Sequence, residues 1–186
     1  MKKLSIFSLI AVLMLLVSCG LTINKTKYYK ALEEGDLATV KEMVKEHPSL
    51  VNEKIGDSGQ TALEFAIDNK RTEIALFLIE NGASVNNRYY LHFAVMQEMK
   101  EVAGALIDKG VSVNTEDEHG RTPLHQAVDT SNLEMVKFLL YDKYADPNPR
   151  DEWTNTPLHY ATLKSRKGEK HYDEIAEILR KARGTK

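Results

Sequence analysis

Apolar and polar positions alternate along the chain at helical spacing, in blocks that come back at a nearly fixed interval. Five blocks are strongly apolar: Val40-Lys41-Glu42-Met43-Val44, Ile74-Ala75-Leu76-Phe77-Leu78-Ile79, Val102-Ala103-Gly104-Ala105-Leu106-Ile107, Met135-Val136-Lys137-Phe138-Leu139-Leu140 and Ile175-Ala176-Glu177-Ile178-Leu179. Each is preceded by a shorter helical segment carrying one alanine: Ala31, Ala66, Ala94, Ala127 and Ala161, spaced 35, 28, 33 and 34 apart. Leu124 and Ala127 stand three apart and so share one helix face, as do Leu158 and Ala161. The small residue on that face lets a neighbouring helix approach closely. Gly82 and Gly110 follow two of the blocks, where a helix closes on a left-handed residue. The pattern predicts an all-α chain of helix pairs, repeated about five times.

The helix starts carry a motif. Thr122-Pro123-Leu124-His125-Gln126-Ala127 returns 34 residues later as Thr156-Pro157-Leu158-His159-Tyr160-Ala161. Weaker copies are Thr61-Ala62-Leu63-Glu64-Phe65-Ala66 and Tyr89-Tyr90-Leu91-His92-Phe93-Ala94. Threonine suits the N-cap, because its hydroxyl can accept from a first-turn amide. Proline suits the next position, where a missing N–H is no loss. Asn52, Asn86, Asn114 and Asn148 recur after the blocks, opening the connection to the next unit. A repeat of this length with this hexapeptide resembles the ankyrin-repeat family over about residues 25–183. The resemblance implies a solenoid of helix-turn-helix units near 25–57, 58–86, 87–114, 115–148 and 149–183, with short β-hairpin or loop fingers along one edge. The first unit lacks the hexapeptide and reads as a cap, one side of which faces water.

Three places depart from the period. Ten residues separate Asn114 from Leu124 and Asn148 from Leu158, but only five separate Asn86 from Leu91. No finger fits there, so the row of fingers should have a gap, with Asn86 or Asn87 left to cap the helix. Unit four has one extra residue in Tyr141-Asp142-Lys143-Tyr144 and no closing glycine. Unit five has about six extra residues around Ser165-Arg166-Lys167-Gly168-Glu169-Lys170, an insertion that chain entropy tolerates.

The first residues read as an address. Met1-Lys2-Lys3 is positive, Leu4 to Val17 is apolar apart from Ser5 and Ser8, and Leu16-Val17-Ser18-Cys19 ends the run. This resembles a bacterial lipoprotein leader (residues 1–18). The resemblance implies cleavage between Ser18 and Cys19 and lipidation of Cys19, including a fatty acyl chain such as palmitate. Two or more chains hold a protein stably where one does not. The competing reading is an uncleaved helix over Leu4 to Ile23, just long enough to span a bilayer. With Asn24 capping a helix near Lys25, the tether 19–24 reaches under about 20 Å, keeping the stack close to the membrane. The expected location is the cell envelope, at the outer membrane or the outer face of the cytoplasmic membrane.

Charge and composition narrow the chemistry. The formal net charge is −2, so nothing marks a nucleic-acid partner, which leaves a basic footprint. The one cysteine, Cys19, excludes an internal disulfide and a multi-cysteine metal site. His92, His125 and His159 fall one per unit, about 8–10 Å apart at helix-packing distance, too far to share one zinc. They read as structural, bonding backbone and the capping threonine. Gly56-Asp57-Ser58-Gly59 lacks the Lys-Ser/Thr of a phosphate loop. Ser58, Ser112 and Ser131 sit in turns, where serine is expected anyway. Glu116-Asp117-Glu118 and Asp151-Glu152 lack the calcium-loop pattern. No cofactor and no small-molecule substrate are expected.

The family resemblance places binding on the fingers and inner helices. Carried onto this chain, the positions are Glu116, Glu118, His119 and Arg121, then Arg150, Glu152, Trp153 and Asn155. Trp153 either anchors a partner or folds back on its own hairpin. Tyr89 and Tyr90, at the gap, either contact a partner or plug the missing finger. The leading expectation is a non-enzymatic, membrane-anchored protein-interaction module. The alternatives are an immunity or inhibitor protein masking an effector and, in a different class, a metal-dependent hydrolase.

Overall fold

The computed structural model describes residues 25–55, 59–168 and 171–183. The leader, Cys19, the tether with Asn24, Ser58 and the Glu169-Lys170 part of the insertion lie outside those residues. Helices come in pairs: α1 (25–34) with α2 (Leu37–Glu46), α3 (Ala62–Asp68) with α4 (Thr72–Glu80), α5 (Tyr89–Met96) with α6 (Lys100–Asp108). Next come α7 (Pro123–Asp129) with α8 (Leu133–Lys137), and α9 (Pro157–Arg166) with α10 (Tyr172–Arg183). The first helices pack in a row, α3 on α5, α5 on α7, α7 on α9, while α2, α4 and α6 form a parallel outer row. No helix among the described residues is long and apolar enough to cross a membrane.

The five recurring alanines are all buried at the centre of this stack, with Leu63, Leu91 and Leu124. Each such leucine removed from water is worth about 1.5–3 kcal/mol. The alanine also sets the turn. The carbonyls of Ala31, Ala66, Ala94 and Ala127 accept the N–H five residues on, from Asp36 (2.9 Å), Arg71 (2.7 Å), Met99 (2.8 Å) and Asn132 (3.0 Å). That closure needs a left-handed residue just before the donor. Gly35 supplies it once, and Lys70, Glu98 and Ser131 adopt it at φ 54–63°, a conformation costing roughly 1 kcal/mol for a side chain with Cβ. In unit five the inserted residues lengthen α9, and two residues are left-handed, Gly168 (φ 75°) just after α9 and His171 (φ 70°) just before α10.

Unit four absorbs its extra residue as a π turn over Phe138–Asp142. The closing N–H of Ala145 reaches back six residues to Leu139 (2.8 Å), where Ala83 and Val111 reach five, to Leu78 and Leu106. Tyr144 takes the left-handed position that Gly82 and Gly110 occupy in units two and three. Across the seam the Phe138 ring lies beside Gly104 of α6, 3.5 Å from where a Cβ would stand, an ordinary contact distance.

Only one finger is a hairpin among the described residues: β1 (Lys54–Ile55) pairs antiparallel with β2 (Gln60–Thr61). The later fingers are tight turns without a ladder, so the row mixes a β-hairpin with loop fingers, as the family resemblance allows. At the gap, Asn87 takes the capping role, its Oδ1 accepting the Tyr89 N–H at 3.0 Å.

Candidate interaction surface

Fingers four and five are built alike around an inward-turned aspartate. Asp117 Oδ1 accepts the N–H groups of His119 (2.9 Å) and Arg121 (2.9 Å), and its own N–H donates to the Arg121 carbonyl (2.9 Å). Asp151 Oδ1 accepts from Trp153 (3.0 Å) and Asn155 (2.8 Å), and its N–H donates to the Asn155 carbonyl (3.0 Å). Asp151 is buried, and its Oδ2 also accepts the Tyr160 hydroxyl at 2.5 Å. Burial opposes the charge, but the Tyr160 hydroxyl and the Asn155 and Trp153 amides outweigh it and hold the carboxyl below the usual range. These two aspartates were not among the residues expected to matter. Their signal was the 34-residue echo of Asp117-x-x-x-Arg121 in Asp151-x-x-x-Asn155.

The two fingers are joined side by side. The Glu152 N–H donates to the His119 carbonyl (3.0 Å). Gly120 makes room for this: a Cβ there would lie 3.4 Å from the Glu152 nitrogen, and its φ of 71° suits glycine. His119 Nδ1 meets Glu152 Oε1 at 2.9 Å, Glu118 lies 3.8 Å from Nε2, and the Trp153 ring rests 5.5 Å from the imidazole. Trp153 is 55% exposed, so its ring is held by the neighbouring finger rather than folded into its own. Glu116, Glu118 and Arg150 are exposed around it; Arg150 donates to the Thr154 carbonyl (3.0 Å). The result is a hydrogen-bonded, mainly acidic tip bearing one indole.

Other candidate residues lie elsewhere. Arg121 turns inward, pairing with Asp129 and lying 5.6 Å from the Tyr160 ring centre. It welds units four and five instead of facing a partner. Asp129 also meets Lys164 Nζ (3.5 Å), and its carbonyl accepts from Lys164 Nζ and the Tyr172 hydroxyl, each at 3.1 Å. Tyr90 is 3% exposed and shares a 2.8 Å hydrogen bond with Thr61 Oγ1 of the preceding unit. It plugs the stack and presents nothing to a partner. Tyr89 is half-buried against Phe93, with the Arg88 guanidinium 5.1 Å from its ring centre.

Two histidines stitch the seams. His125 Nδ1 accepts the Thr122 N–H (3.1 Å), so the proton sits on Nε2, which faces the Asn155 carbonyl at 3.3 Å. Burial pushes its pKa below the ordinary value, against the pull of that carbonyl and of Asp151. His92 Nε2 meets the Arg121 carbonyl at 2.9 Å. His159 departs from the structural reading. It is exposed, with its ring edge-on to Tyr160 and no following unit to stitch among the described residues. A 300 Å³ depression at this end of the stack is lined by Leu158, His159, Leu163, Arg166 and Arg183. No group of three or more His, Cys, Asp or Glu poised for a metal occurs among the described residues.

A family model described as "Ankyrin repeats (3 copies)" matches residues 7–89 and 91–186. An ankyrin repeat protein of Rickettsia bellii is 39% identical over 67 residues, covering 35% of this chain and 10% of its own length. Palmitoyltransferase AKR1 of Saccharomyces cerevisiae is 47% identical over 124 residues, 62% of this chain and 16% of its own. The chain therefore spans less than a fifth of either relative.

Proposed function

The chain belongs to the ankyrin-repeat family, and from that premise we propose a non-enzymatic protein-binding module whose contact surface is the joined tip of fingers four and five. The observation that carries this is Trp153. An indole left more than half exposed, on turns held by two buried or half-buried aspartates, is an anchor prepared before binding, and prepared anchors lose little entropy on docking. The carboxylates of Glu116, Glu118 and Glu152 suit a partner with basic groups. The palmitoyltransferase likeness covers a minor part of that enzyme and adds no acyl-transfer chemistry to this reading.

The module is tethered to a bacterial envelope membrane through lipid on Cys19, after cleavage behind Ser18. What supports this is the Leu16-Val17-Ser18-Cys19 sequence closing an apolar run. Two substitutions test the two halves. Trp153→Ala should reduce partner capture by tagged bait in its own cells, while Tyr144→Ala, at an exposed aromatic away from the fingers, should not. Equal capture by both variants would remove the tip from the account. Cys19→Ala should abolish labelling by a fatty-acid precursor, and persistent labelling would end the lipid anchor.

A further inference from the structure

Asn52, Asn86 and Asn114 occupy one equivalent place in successive units, but they do not do the same thing. Asn52 clamps the next unit's loop: its Nδ2 donates to the Gly82 carbonyl (3.1 Å) and its Oδ1 accepts the Ser84 N–H (2.7 Å). Asn114 accepts the Asp146 N–H (2.9 Å). By the repeat spacing, Asn86 should reach the Gly110 carbonyl and the Ser112 N–H. It reaches neither. The Asn86 side-chain amide, the Gly110 carbonyl and the Ser112 N–H have no hydrogen-bond partner among the described residues.

The seam stands open instead. Between these groups lies a 250 Å³ cavity lined by Val85, Asn86, Arg88, Lys109, Gly110, Val111, Ser112 and Thr115. It sits where finger three is missing, since the five residues from Asn86 to Leu91 turn straight into α5. The Asn86 side chain offers a donor and an acceptor. Gly110 and Ser112, also in the lining, bring an unbonded backbone acceptor and an unbonded backbone donor. That is the alternating pattern an extended backbone satisfies on both edges. Val85 and Val111 are half-buried and give the slot an apolar lining. Both charged residues lining it are cations, and Lys109 has no carboxylate partner among the described residues.

We propose that this open seam is a second binding site, a slot for an extended acidic peptide segment of a partner protein. The segment's backbone takes the place of the clamp that Asn86 does not close, and its carboxylates face Arg88 and Lys109. The site is separate from the finger tip and does not depend on it.

The test is titration of the isotope-labelled full chain with acetyl-Glu-Val-Glu-Val-Glu-amide, followed by amide NMR. The expected result is saturable shifts at the Gly110 and Ser112 amides and the Asn86 side-chain amide. Ser84, in the closed clamp, stays in place as the internal control. Asn86→Ala should weaken binding about tenfold; because Asn86 is exposed and unbonded, the variant folds as the parent does. The double change Arg88→Glu with Lys109→Glu should transfer preference to acetyl-Lys-Val-Lys-Val-Lys-amide. Trp153→Ala should leave peptide binding unchanged, so the slot and the tip succeed or fail separately. No shift at Ser112 at millimolar peptide would overturn the proposal. So would equal shifts at Ser84, equal binding of the lysine peptide by the parent chain, or full affinity in Asn86→Ala.

Discussion

The connection into unit three and the connection into unit five start from equivalent asparagines, Asn86 and Asn148, and end at equivalent leucines, yet one makes a notch and the other a platform. Into unit five, ten residues from Asn148 to Leu158 run out, fold around Asp151 and lie against finger four through the Glu152–His119 backbone bond. Into unit three, five residues leave no length for a finger. The stack repairs its own core there with Tyr90, whose hydroxyl reaches back to Thr61 as a seam histidine elsewhere reaches forward to the next unit. Burial of apolar surface is thus kept at every seam, and so is a polar stitch, but the asparagine clamp and the finger are lost together where the connection is short. Both surfaces proposed for binding lie where the connections differ: an exposed indole where the finger is full length, unpaired backbone groups where it is missing.

The largest test of this contrast is at Asp151, which supports the whole of finger five. Asp151→Ala strands two amides and a tyrosine hydroxyl, and should cost about 2–3 kcal/mol in urea unfolding. Asp117→Ala should cost less, about 1–2 kcal/mol, since Asp117 is half-buried and holds two amides without a hydroxyl. A loss under about 0.5 kcal/mol at Asp151 would mean that the finger does not depend on its aspartate.

Acidity probes the stitched seam separately. His125 is neutral in the fold, and its pKa lies below the ordinary 6.5. The unfolded chain therefore binds the extra proton first as pH falls. The contribution is fully present above about pH 6.5 and is lost downward toward the depressed folded value, with a slope of at most about 1.4 kcal/mol per pH unit. Asp151 acts in a lower window: its folded value is also depressed, so its contribution is lost only below about pH 4. Unfolding measured between pH 7 and 5 should show the histidine slope, and His125→Gln should flatten it. An unchanged slope in the variant would show that the seam histidine does not titrate with folding.

At the notch, Tyr90→Phe keeps the plug and removes one hydrogen bond, so about 1 kcal/mol should be lost. A zero effect would mean that the ring alone seals the seam.

The helix pairs, their alanines and the missing finger were legible because each rests on local periodicity or chain length. That His92 and His125 are structural was legible because the hexapeptide fixes their register; that each reaches a carbonyl of the next unit was not. What the sequence hid was the direction of polar side chains. Asp117 and Asp151 look like solvated finger charges, yet they face their own backbone. Arg121 looks like a finger contact, yet it serves Asp129 eight residues on and the Tyr160 ring 39 residues on. The π turn and the left-handed Tyr144 follow from one surplus residue, whose place was visible and whose geometry was not.

The finest comparison is between the closed and the open clamp. Asn52→Ala breaks two bonds that tie unit one to the loop after α4, and should destabilise the chain by about 1 kcal/mol, exposed as the site is. Asn86→Ala removes the same side chain from the equivalent place, but no bond is there to lose, so unfolding should move by less than about 0.5 kcal/mol. Thermal and urea unfolding of both variants, side by side, separate the cases. If Asn86→Ala destabilised as much as Asn52→Ala, the seam between units two and three would be closed in solution, and the backbone groups of Gly110 and Ser112 would already be taken. Equal and negligible effects would instead mean that the asparagine row guides loop geometry without holding the units together.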